Sequence, residues 1–374
     1  MGRETHDVVI IGAGMAGLSL AYFLAKEGCD VCVIEKNSSA QESTGRCGGI
    51  IRQSHRLPPD LPVAMRAVRL WKQLLQDSDL DFEYRQHGTV RMAWTEEHVA
   101  QLKTMVELER AGGLDCTFLS RAETQALLPN VAGPFLGSVY TPSDGSAQPQ
   151  LAMLSLARLA KRVGVTLHEH CEVTGIDVAG GRVIGVATAR SPLASEVVVI
   201  AAGAWSQIIS RAIGVRIPFE VRRSHLMATE RLPRFIESVI SADPYGYFRQ
   251  TLSGNVLIGY GARPVEGLER RVAREAVMIA ANRASIILPH LRHASLIRAF
   301  TGFTVWTPDS LPIVGRIPHI EGLYVSTAFC GVGFATGPAV GELMAELIVK
   351  GKTSISIDAY RPERFEQSPA PTPR

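Results

Sequence analysis

A glycine-rich turn between an apolar strand and a helix constrains this chain more than any other feature. Residues 7–11 form an apolar strand that leads into GAGMAG at positions 12–17, and a helical pattern follows. Gly12 permits the sharp turn, Gly14 lets the backbone approach a pyrophosphate, and Gly17 allows the helix to pack closely on the strand. The pattern predicts a βαβ unit with phosphates at the helix N-terminus.

An acidic residue closes the second strand of this unit. Glu35 follows Val31–Ile34 directly, and a carboxylate there can accept hydrogen bonds from ribose hydroxyls. The sequence therefore predicts a bound dinucleotide. The N-terminal position of the motif favours FAD, as does a second glycine-rich junction, Cys330–Phe334, whose helix could place its positive end at an isoalloxazine ring. A nicotinamide-linked dehydrogenase remains the alternative.

Composition limits the classes of protein to consider. A length of 374 residues predicts two or three domains, and 46% hydrophobic residues suffice for a large core. The net charge of +3 argues against a nucleic-acid partner. No apolar run reaches the length of about 20 residues that a membrane span needs, and no signal peptide is evident. We expect a cytoplasmic protein that meets the inner membrane only through partners.

The cysteines and histidines do not suggest a metal site. Cys29 and Cys32 match C-x-x-C, but they fall in a strand pattern, where residues three apart face opposite sides. His168 and His170 share a face of a predicted strand over Val165–Val173 without a third ligand nearby. We predict no metal site and no disulfide framework.

Periodicity predicts the remaining elements. Strand-like runs include residues 82–94, Val183–Ala189, Glu196–Gly203, Pro218–Thr229, Tyr245–Gly261, Leu296–Thr307 and Gly322–Ala328. Helical patterns cover Ala64–Gln76, Glu96–Ala111, Arg121–Leu128, Leu151–Val163, Arg270–Ile287 and Gly337–Val349. The turn cluster Pro142–Pro149 is a candidate crossing between domains.

Several motifs together resemble the D-amino-acid oxidase family of FAD-dependent oxidoreductases over nearly the whole chain. They are IIGAGMAG, VIEK, TGRCGGIIRQSH, VVVIAAGAWS, TPDSLPIVGR and CGVGFATGPAVGELMAELI. Within that family the chain resembles most the β subunits of hetero-oligomeric L-proline and D-hydroxyproline dehydrogenases, opine oxidase and sarcosine oxidase. The resemblance implies an α/β plus α+β fold, with a Rossmann-like, GR2-type FAD-binding domain and a mostly antiparallel substrate domain.

The resemblance also implies a discontinuous domain layout. Residues 1–80, 146–217 and 305–374 would form the FAD-binding domain, with a disordered tail over 366–374. Residues 81–145 and 218–304 would form the substrate-binding domain. The residues implied to contact FAD are Gly12, Ala13, Gly14, Met15, Ala16, Gly17, Glu35, Lys36, Thr44, Gly45, Arg46, Gly48, Gly49, Val173, Ala202, Gly203, Trp205, Gly331, Val332, Gly333, Phe334 and Ala335.

The family's chemistry is hydride transfer from the carbon beside an amine nitrogen to flavin N5, which yields an imine. The substrate carboxylate needs a cation, and by similarity Arg52 is the first candidate, since a guanidinium can bind a carboxylate through two hydrogen bonds. Tyr247 matches a carboxylate-binding tyrosine, and His225 and Tyr260 are weaker candidates. The alternatives are a surface ion pair for Arg52 and an ordinary strand aromatic for Tyr247.

Departures from the family pattern change the cofactor prediction. Gly302 stands where related enzymes carry a flavin-linking cysteine, so FAD should be non-covalent. Ala335 replaces a lysine that contacts the carboxylate, which leaves more of that recognition to Arg52. SDGSAQPQ lacks the histidine that carries covalent FMN, so any FMN would bind non-covalently at a subunit interface. No cysteine spacing fits an iron–sulfur cluster, so such a cluster would belong to a partner.

Three hypotheses of function follow. The first is oxidation of a secondary amino acid (proline, hydroxyproline or opine type) by the catalytic β subunit of a hetero-oligomeric dehydrogenase. Its partners would be an α subunit and a small iron–sulfur subunit. The second is a self-sufficient glycine- or sarcosine-type oxidase that produces hydrogen peroxide. The third is a non-catalytic flavin-binding scaffold subunit.

Overall fold

The structure, a computed structural model, describes residues 3–365. The predicted tail over 366–374 lies outside the described residues. Eight α-helices occur in the described part: α1 (Met15–Lys26), α2 (Asp60–Asp77), α3 (Glu96–Ala111), α4 (Arg121–Leu127), α5 (Pro149–Arg162), α6 (Ser206–Arg211), α7 (Arg274–Ile287) and α8 (Gly333–Lys350).

The strands of the described part are β1 (Glu4–Thr5), β2 (Val8–Ile11), β3 (Val31–Ile34), β4 (Ile50–Ile51), β5 (Arg85–Gln86), β6 (Thr89–Ala93), β7 (Thr117–Ser120), β8 (Gly137–Thr141), β9 (Gly145–Ser146), β10 (Thr166–His168), β11 (Val173–Ala179), β12 (Arg182–Thr188), β13 (Leu193–Ala194), β14 (Val197–Ile200), β15 (Glu220–Arg231), β16 (Val239–Ser241), β17 (Tyr247–Gln250), β18 (Asn255–Pro264), β19 (Leu296–Trp306), β20 (Ile313–Arg316) and β21 (Leu323–Thr327).

The chain divides into two compact units. The first contains the residues up to Thr44, Met153–Val221 and the residues from Thr304 onward. The second contains Gly45–Ala152 and Arg222–Phe303. Both units are discontinuous, and residues 45–80 and 146–152 lie in the second unit rather than with the nucleotide motif. The reason is local pairing: β4 and β5 both pair with β9, and Trp71 of α2 packs edge-on against Phe82.

The first unit is built on a six-stranded sheet of order β10-β3-β2-β14-β21-β20. All its neighbours are parallel except β20 and β21. β2 and β3 are buried along their whole length, as their continuous Val/Ile sequences predict for parallel strands covered on both faces. A smaller sheet of order β1-β13-β12-β11 completes the strands of this unit.

Two glycines bring α8 against α1 in the first unit. A Cβ added at Gly337 would lie 2.2 Å from Met15 Cγ, and one at Gly341 would lie 2.5 Å from Ser19 Cβ. Only glycine allows this approach of the two helices. Sequence periodicity predicts a helix from Gly337, but α8 begins one turn earlier, at Gly333, and includes Pro338. It ends at Lys350, and the next residue, Gly351, is the C-cap, with the left-handed φ of 72° that favours glycine.

The second unit is built on an eight-stranded sheet of order β19-β15-β18-β17-β16-β6-β8-β7. Its pairs are mostly antiparallel, as the resemblance implies, and β16 with β6 is a parallel pair. One face packs on α7 through a core that includes Val90, Phe248, Ile258 and Ile287. The predicted α/β plus α+β class and the family fold are confirmed.

One predicted strand is shorter than expected. The pattern over Val165–Val173 predicts a continuous strand, but β10 ends at His168 and His170 has a left-handed φ of 54°. His170 N–H donates to the carbonyl of Asn37 instead of continuing the ladder. This local turn breaks the alternation on which a shared face for the two histidines depended.

Candidate active site

The glycine turn of the first unit has the geometry that its sequence predicts. Gly12 has a φ of 110°, and a Cβ there would lie 2.7 Å from the carbonyl oxygen of Ala201. A Cβ at Gly17 would lie 1.9 Å from the carbonyl oxygen of Gly12. Each contact is with backbone and cannot yield, so both positions require glycine.

Glu35 lies beside this turn. Its Oε2 accepts the N–H of Ala13 at 3.0 Å, and its Oε1 accepts the N–H of Asn37 at 2.9 Å. The N-cap of α1 is Gly14, which offers no side-chain cap, and the N–H of Met15 donates to Thr44 Oγ1 at 3.2 Å. The N-terminus of α1 and the fixed carboxylate of Glu35 therefore meet at the carboxyl ends of β2 and β3. The helix N–H groups can donate to a pyrophosphate, and the carboxylate can accept from a ribose.

Other predicted FAD contacts lie at the ends of neighbouring elements. Lys36 Nζ lies 3.4 Å from the ring centroid of Trp205, a cation–π contact. Ala202 and Gly203 follow β14, and Thr327 Oγ1 of β21 donates to the Gly203 carbonyl at 3.1 Å. Val173 begins β11 and pairs with Thr188 in the smaller sheet, and Ala16 lies in the first turn of α1.

The second glycine junction leads into α8. Gly331 has a φ of 84°, and a Cβ there would lie 3.4 Å from Trp306 Cζ2. Val332 caps α8, with Gly333, Phe334 and Ala335 in its first turn. Because Gly337 packs on Met15, the start of α8 lies against the start of α1. The residues present in the first unit thus fit a dinucleotide with two glycine-rich contacts, as the FAD prediction requires.

The remaining predicted FAD residues lie in the second unit. The Gly45 carbonyl accepts Gln150 Nε2 at 2.5 Å, and a Cβ at Gly49 would lie 2.1 Å from the Ala147 carbonyl oxygen. A Cβ at Gly302 would lie 3.1 Å from Arg46 Cβ. The close approach at Gly302 leaves little room for a cysteine there.

Tyr247 of β17 lies over two glycines. A Cβ at Gly48 would lie 2.6 Å from Tyr247 Cε2, and one at Gly259 would lie 2.0 Å from Cε1. Burial, followed by the nearby Cys47, raises the pKa of the Tyr247 phenol, so the hydroxyl stays protonated and can donate a hydrogen bond. The glycines at 48 and 259 therefore make space for a phenol on this sheet face.

Arg249, two residues further along β17, was not predicted. Only 3% of its surface is exposed. Its Nη1 donates to Ser146 Oγ at 3.2 Å, and its Nε has no hydrogen-bond partner in the described part of the chain. Burial lowers its pKa. The strand period of two places Arg249 beside Tyr247, so the sequence signal was available.

Arg52 lies on a segment held by buried carboxylates. Asp144, with no exposed surface, accepts the N–H of Gln53 at 2.6 Å and the hydroxyl of Ser54 at 2.6 Å. The Arg52 carbonyl accepts Arg56 Nη2 at 2.7 Å. The Arg52 side chain is partly buried, and burial together with the charge of Arg52 lowers the pKa of Arg91 to about 10. The structure therefore places a second cation, Arg91, near the predicted one.

His225 and Tyr260 lie on the other sheet face from Tyr247. Tyr247 pairs with Gly259, and the next residue, Tyr260, faces the opposite side and belongs to the core beneath α7. His225 pairs with Tyr260, and its Nε2 accepts the N–H of Ala273 at 3.2 Å, just before α7 begins. Tyr260 therefore makes packing contacts in the core, and His225 makes a hydrogen bond to the residue that precedes α7.

No cluster of three or more His, Cys, Asp or Glu side chains among residues 3–365 is arranged to hold a metal ion. The six cysteines all carry free thiols. Within the same range, no helix has the length and apolar character to cross a membrane.

A Rossmann-type nucleotide cradle, a second glycine junction and a mostly antiparallel second unit define a dinucleotide-binding protein of the flavoprotein type. The family model described as FAD dependent oxidoreductase (DAO) matches residues 7–347, and the chain belongs to this family of FAD-dependent oxidoreductases. The resemblance drawn from the motifs is confirmed.

Individual relatives are similar over nearly their whole length. The sarcosine oxidase subunit beta of Rhizobium meliloti is 30% identical, covering 98% of this chain and 89% of that protein. The crystal structure of L-proline dehydrogenase from P. horikoshii has a TM-score of 0.93 and 31% identity, covering 98% of this chain and 99% of the other. The glycine oxidase of Geobacillus kaustophilus is 27% identical, covering 95% of this chain and 96% of that protein.

Proposed function

We propose that this protein oxidises a secondary amino acid of the proline, hydroxyproline or opine type to the imine, as the catalytic β subunit of a hetero-oligomeric dehydrogenase. The observation that carries the proposal is the near-complete similarity to a sarcosine oxidase β subunit and to an L-proline dehydrogenase, at 30% and 31% identity. Sarcosine and proline are both amino acids with a secondary amine. Bound FAD would supply a hydride acceptor at its N5 atom.

Residues of the first unit would hold FAD without a covalent bond. The turn at 12–17 and the N-terminus of α1 would bind the pyrophosphate, and Glu35 would bind the ribose. The non-covalent attachment is supported by Gly302, which has no thiol and is approached by Arg46. Ala335, in the first turn of α8, offers no cation for the substrate, so recognition of its carboxylate falls to other side chains.

Residues of the second unit would bind and orient the substrate. Arg52 would bind the carboxylate, on a backbone fixed by Asp144. The Tyr247 hydroxyl would donate to the same carboxylate. A fixed carboxylate restricts the position of the neighbouring C–H bond, which is the main contribution that positioning makes to such a reaction. A neutral substrate amine needs no protein acid, so the chain's task is to bind, orient and desolvate.

The proposed partners follow from the relatives that are subunits. One relative is named as a β subunit, which supports assembly with an α subunit. An iron–sulfur cluster would reside in a small partner subunit, and any FMN would bind at a subunit interface. The complex would work in the cytoplasm or at the inner membrane surface.

An anaerobic visible spectrum tests this function. The purified protein is mixed separately with L-proline, D-proline, cis-4-hydroxy-D-proline, sarcosine and octopine, with pyrrolidine as the control that lacks a carboxylate. Bleaching of the flavin bands by one of the amino acids and not by pyrrolidine is expected. The proposal is contradicted if the protein is loaded with FAD and assembled with its partners and no amine bleaches the flavin bands. That result would favour a scaffold role.

A self-sufficient oxidase is the second candidate, favoured by the similarity to glycine oxidase. Aerobic turnover separates the two functions. The dehydrogenase should form little hydrogen peroxide and should reduce an artificial dye. Rapid peroxide formation by this chain alone, with glycine or sarcosine, would establish the oxidase instead.

A further inference from the structure

The turn after β10 is hydrogen-bonded to the segment that carries Glu35. The N–H of Glu35 donates to the carbonyl of His168 at 2.8 Å, directly after the pairing of β3 with β10. The N–H of Cys171 donates to the Glu35 carbonyl at 2.9 Å, and the N–H of His170 donates to the Asn37 carbonyl at 3.0 Å. The backbone of Glu35 is therefore held on both sides by the same short turn.

Glu169, in this turn, binds the loop that follows Glu35. Its Oε1 accepts the N–H of Ser39 at 2.6 Å and the Ser39 hydroxyl at 2.7 Å. Burial raises the pKa of Glu169, but these two hydrogen bonds, with the charge of Lys161, outweigh it, and the pKa is lowered. The carboxylate is therefore ionised at neutral pH, and hydrogen bonds to an ionised acceptor are roughly twice as strong as those between neutral groups.

Arg190 holds the turn from its other side. Its Nη2 donates to the carbonyl of Glu169 at 2.9 Å and to that of His170 at 3.3 Å. His170 has a left-handed φ of 54°, and its Nε2 lies 3.2 Å from Ser38 Oγ. This conformation is unfavourable for a residue with a side chain, so the contacts of the turn must outweigh its cost. The turn is thus a fixed support for the loop that contains Ser38 and Ser39.

The loop that Glu169 holds returns to the glycine turn of the first unit. The N–H of Ala40 donates to the Ala13 carbonyl at 3.1 Å, and Glu35 Oε2 accepts the N–H of Ala13 at 3.0 Å. Ala13 is therefore joined to both ends of the segment 35–40. Each oxygen of the Glu35 carboxylate accepts one backbone N–H, and each keeps a further lone pair for a ribose hydroxyl. A shift of this segment would change the direction of those lone pairs.

We propose that Glu169 is a positioning residue for FAD, because through Ser39 it holds the segment that orients the Glu35 carboxylate toward the cofactor's ribose. The inference rests on the proposed contact between Glu35 and that ribose. Glu169 itself would touch no atom of FAD. Its loss would lower the affinity for the cofactor through Glu35.

A double-mutant cycle on the affinity for FAD tests this role. Flavin-depleted protein is titrated with FAD in a calorimeter. Glu35→Gln should raise the Kd by about 10- to 100-fold, and Glu169→Leu by about 10-fold, as loss of charge-assisted hydrogen bonds predicts. Glu169→Leu should have almost no further effect in the Glu35→Gln protein, because the residue through which it acts is already altered. Additive losses would overturn the inference, since a purely structural role of Glu169 would not depend on Glu35.

Matched variants serve as controls. Glu169→Gln keeps a carbonyl oxygen for Ser39 and should recover most of the affinity. Glu172→Leu alters an exposed glutamate beside the turn and should leave the Kd unchanged. If Glu169→Leu does not fold, Ser39→Ala replaces it in the cycle, lacks the hydroxyl donor, and should raise the Kd by about threefold only when Glu35 is present. A Kd equal to that of the unmodified protein, in whichever of the two variants folds, contradicts the inference.

The inference and the proposed oxidation can fail separately. If Glu35→Gln binds FAD as tightly as the unmodified protein does, the ribose contact and the role of Glu169 are both wrong, whereas the anaerobic spectrum alone decides the oxidation. If the cycle shows that Glu35 and Glu169 act together but no amine bleaches the flavin bands, the positioning role stands and the oxidation is wrong.

Discussion

At the scale of single residues, the direction of a side chain decides its role more than its chemical type. Tyr247 and Tyr260 are both strand tyrosines in the second unit, yet one lies over Gly48 and the other lies in the core beneath α7. The pairing of Tyr247 with Gly259 fixes this difference. Tyr260 therefore packs in the core, whereas Tyr247 stays a prediction for the substrate site.

Replacing Arg52 by alanine should raise the KM for the amino-acid substrate by one to two orders of magnitude. The reason is the loss of a charge-assisted hydrogen bond, worth roughly 1.5–3 kcal/mol. Steady-state kinetics with a dye acceptor measures the effect. Arg69→Ala, at an exposed position of α2, serves as the control. A KM equal to that of the control would remove Arg52 from the substrate site.

His55 should make the stability of the protein fall in mild acid. Burial, followed by the charges of Arg91, Arg52 and Arg56, lowers the pKa of His55 from 6.5 to about 2. The native state keeps the imidazole neutral, whereas the unfolded chain takes up a proton below its ordinary pKa. Stability is therefore present above pH 6.5 and is lost as the pH falls, by about 1 kcal/mol between about pH 7.5 and 5.5.

The variant His55→Asn tests whether His55 causes this loss of stability in acid. Asparagine does not titrate, and it tolerates the left-handed φ of 58° at this position. Urea unfolding at the two pH values should show a smaller loss for His55→Asn than for the unmodified protein. His293→Gln, at an exposed position of the same unit, should retain the full loss. The same loss in both variants would exclude His55 as the source.

At the scale of elements, periodicity identifies helices and strands better than it identifies their ends. The bounds predicted for α3 agree with the structure, because Thr95 caps the helix by accepting the N–H of His98 at 3.1 Å. In contrast, α8 starts one turn before the predicted Gly337. The glycine-rich sequence before Gly337 carries no local signal for the start of a helix. Packing against α1 stabilises the first turn of α8 instead.

Contact between α1 and α8 should depend on Gly341. Alanine normally stabilises a helix by roughly 0.5–1 kcal/mol relative to glycine. Here the added methyl group would meet the backbone N of Leu20 at 2.7 Å, so Gly341→Ala should instead destabilise the protein by about 1–3 kcal/mol. Urea unfolding, with Val349→Ala at an exposed position of α8 as control, measures the change. A gain in stability would contradict the close packing.

At the scale of the whole molecule, FAD should be a large source of stability. A ligand present at 100 times its Kd stabilises the native state by about 2.7 kcal/mol. Added FAD should therefore raise the thermal midpoint of flavin-depleted protein. Gly14→Val should abolish both this rise and the flavin content, because a side chain would prevent the backbone from approaching the pyrophosphate.

A glycine elsewhere in the first unit provides the control. A Cβ at Gly175 of β11 would meet only Ala187 Cβ, at 3.9 Å, so Gly175→Val should bind FAD normally. The measurement is the ratio of flavin to protein absorbance after purification. Normal flavin content in Gly14→Val would overturn the assignment of the turn to the pyrophosphate.

The sequence by itself determined the nucleotide turn, the fold class and the family. Those features depend on residues close together in the chain, where the spacing of Gly12, Gly14 and Gly17 fixes the backbone geometry. Arg52 and Tyr247 were predicted through resemblance, not from local pattern. Only the tertiary structure decided that Arg249 is buried without a counter-ion, and that Asp144 holds the segment carrying Arg52. The reason is physical: strand register and the burial of charges depend on contacts between residues far apart in the chain, and no local pattern specifies them.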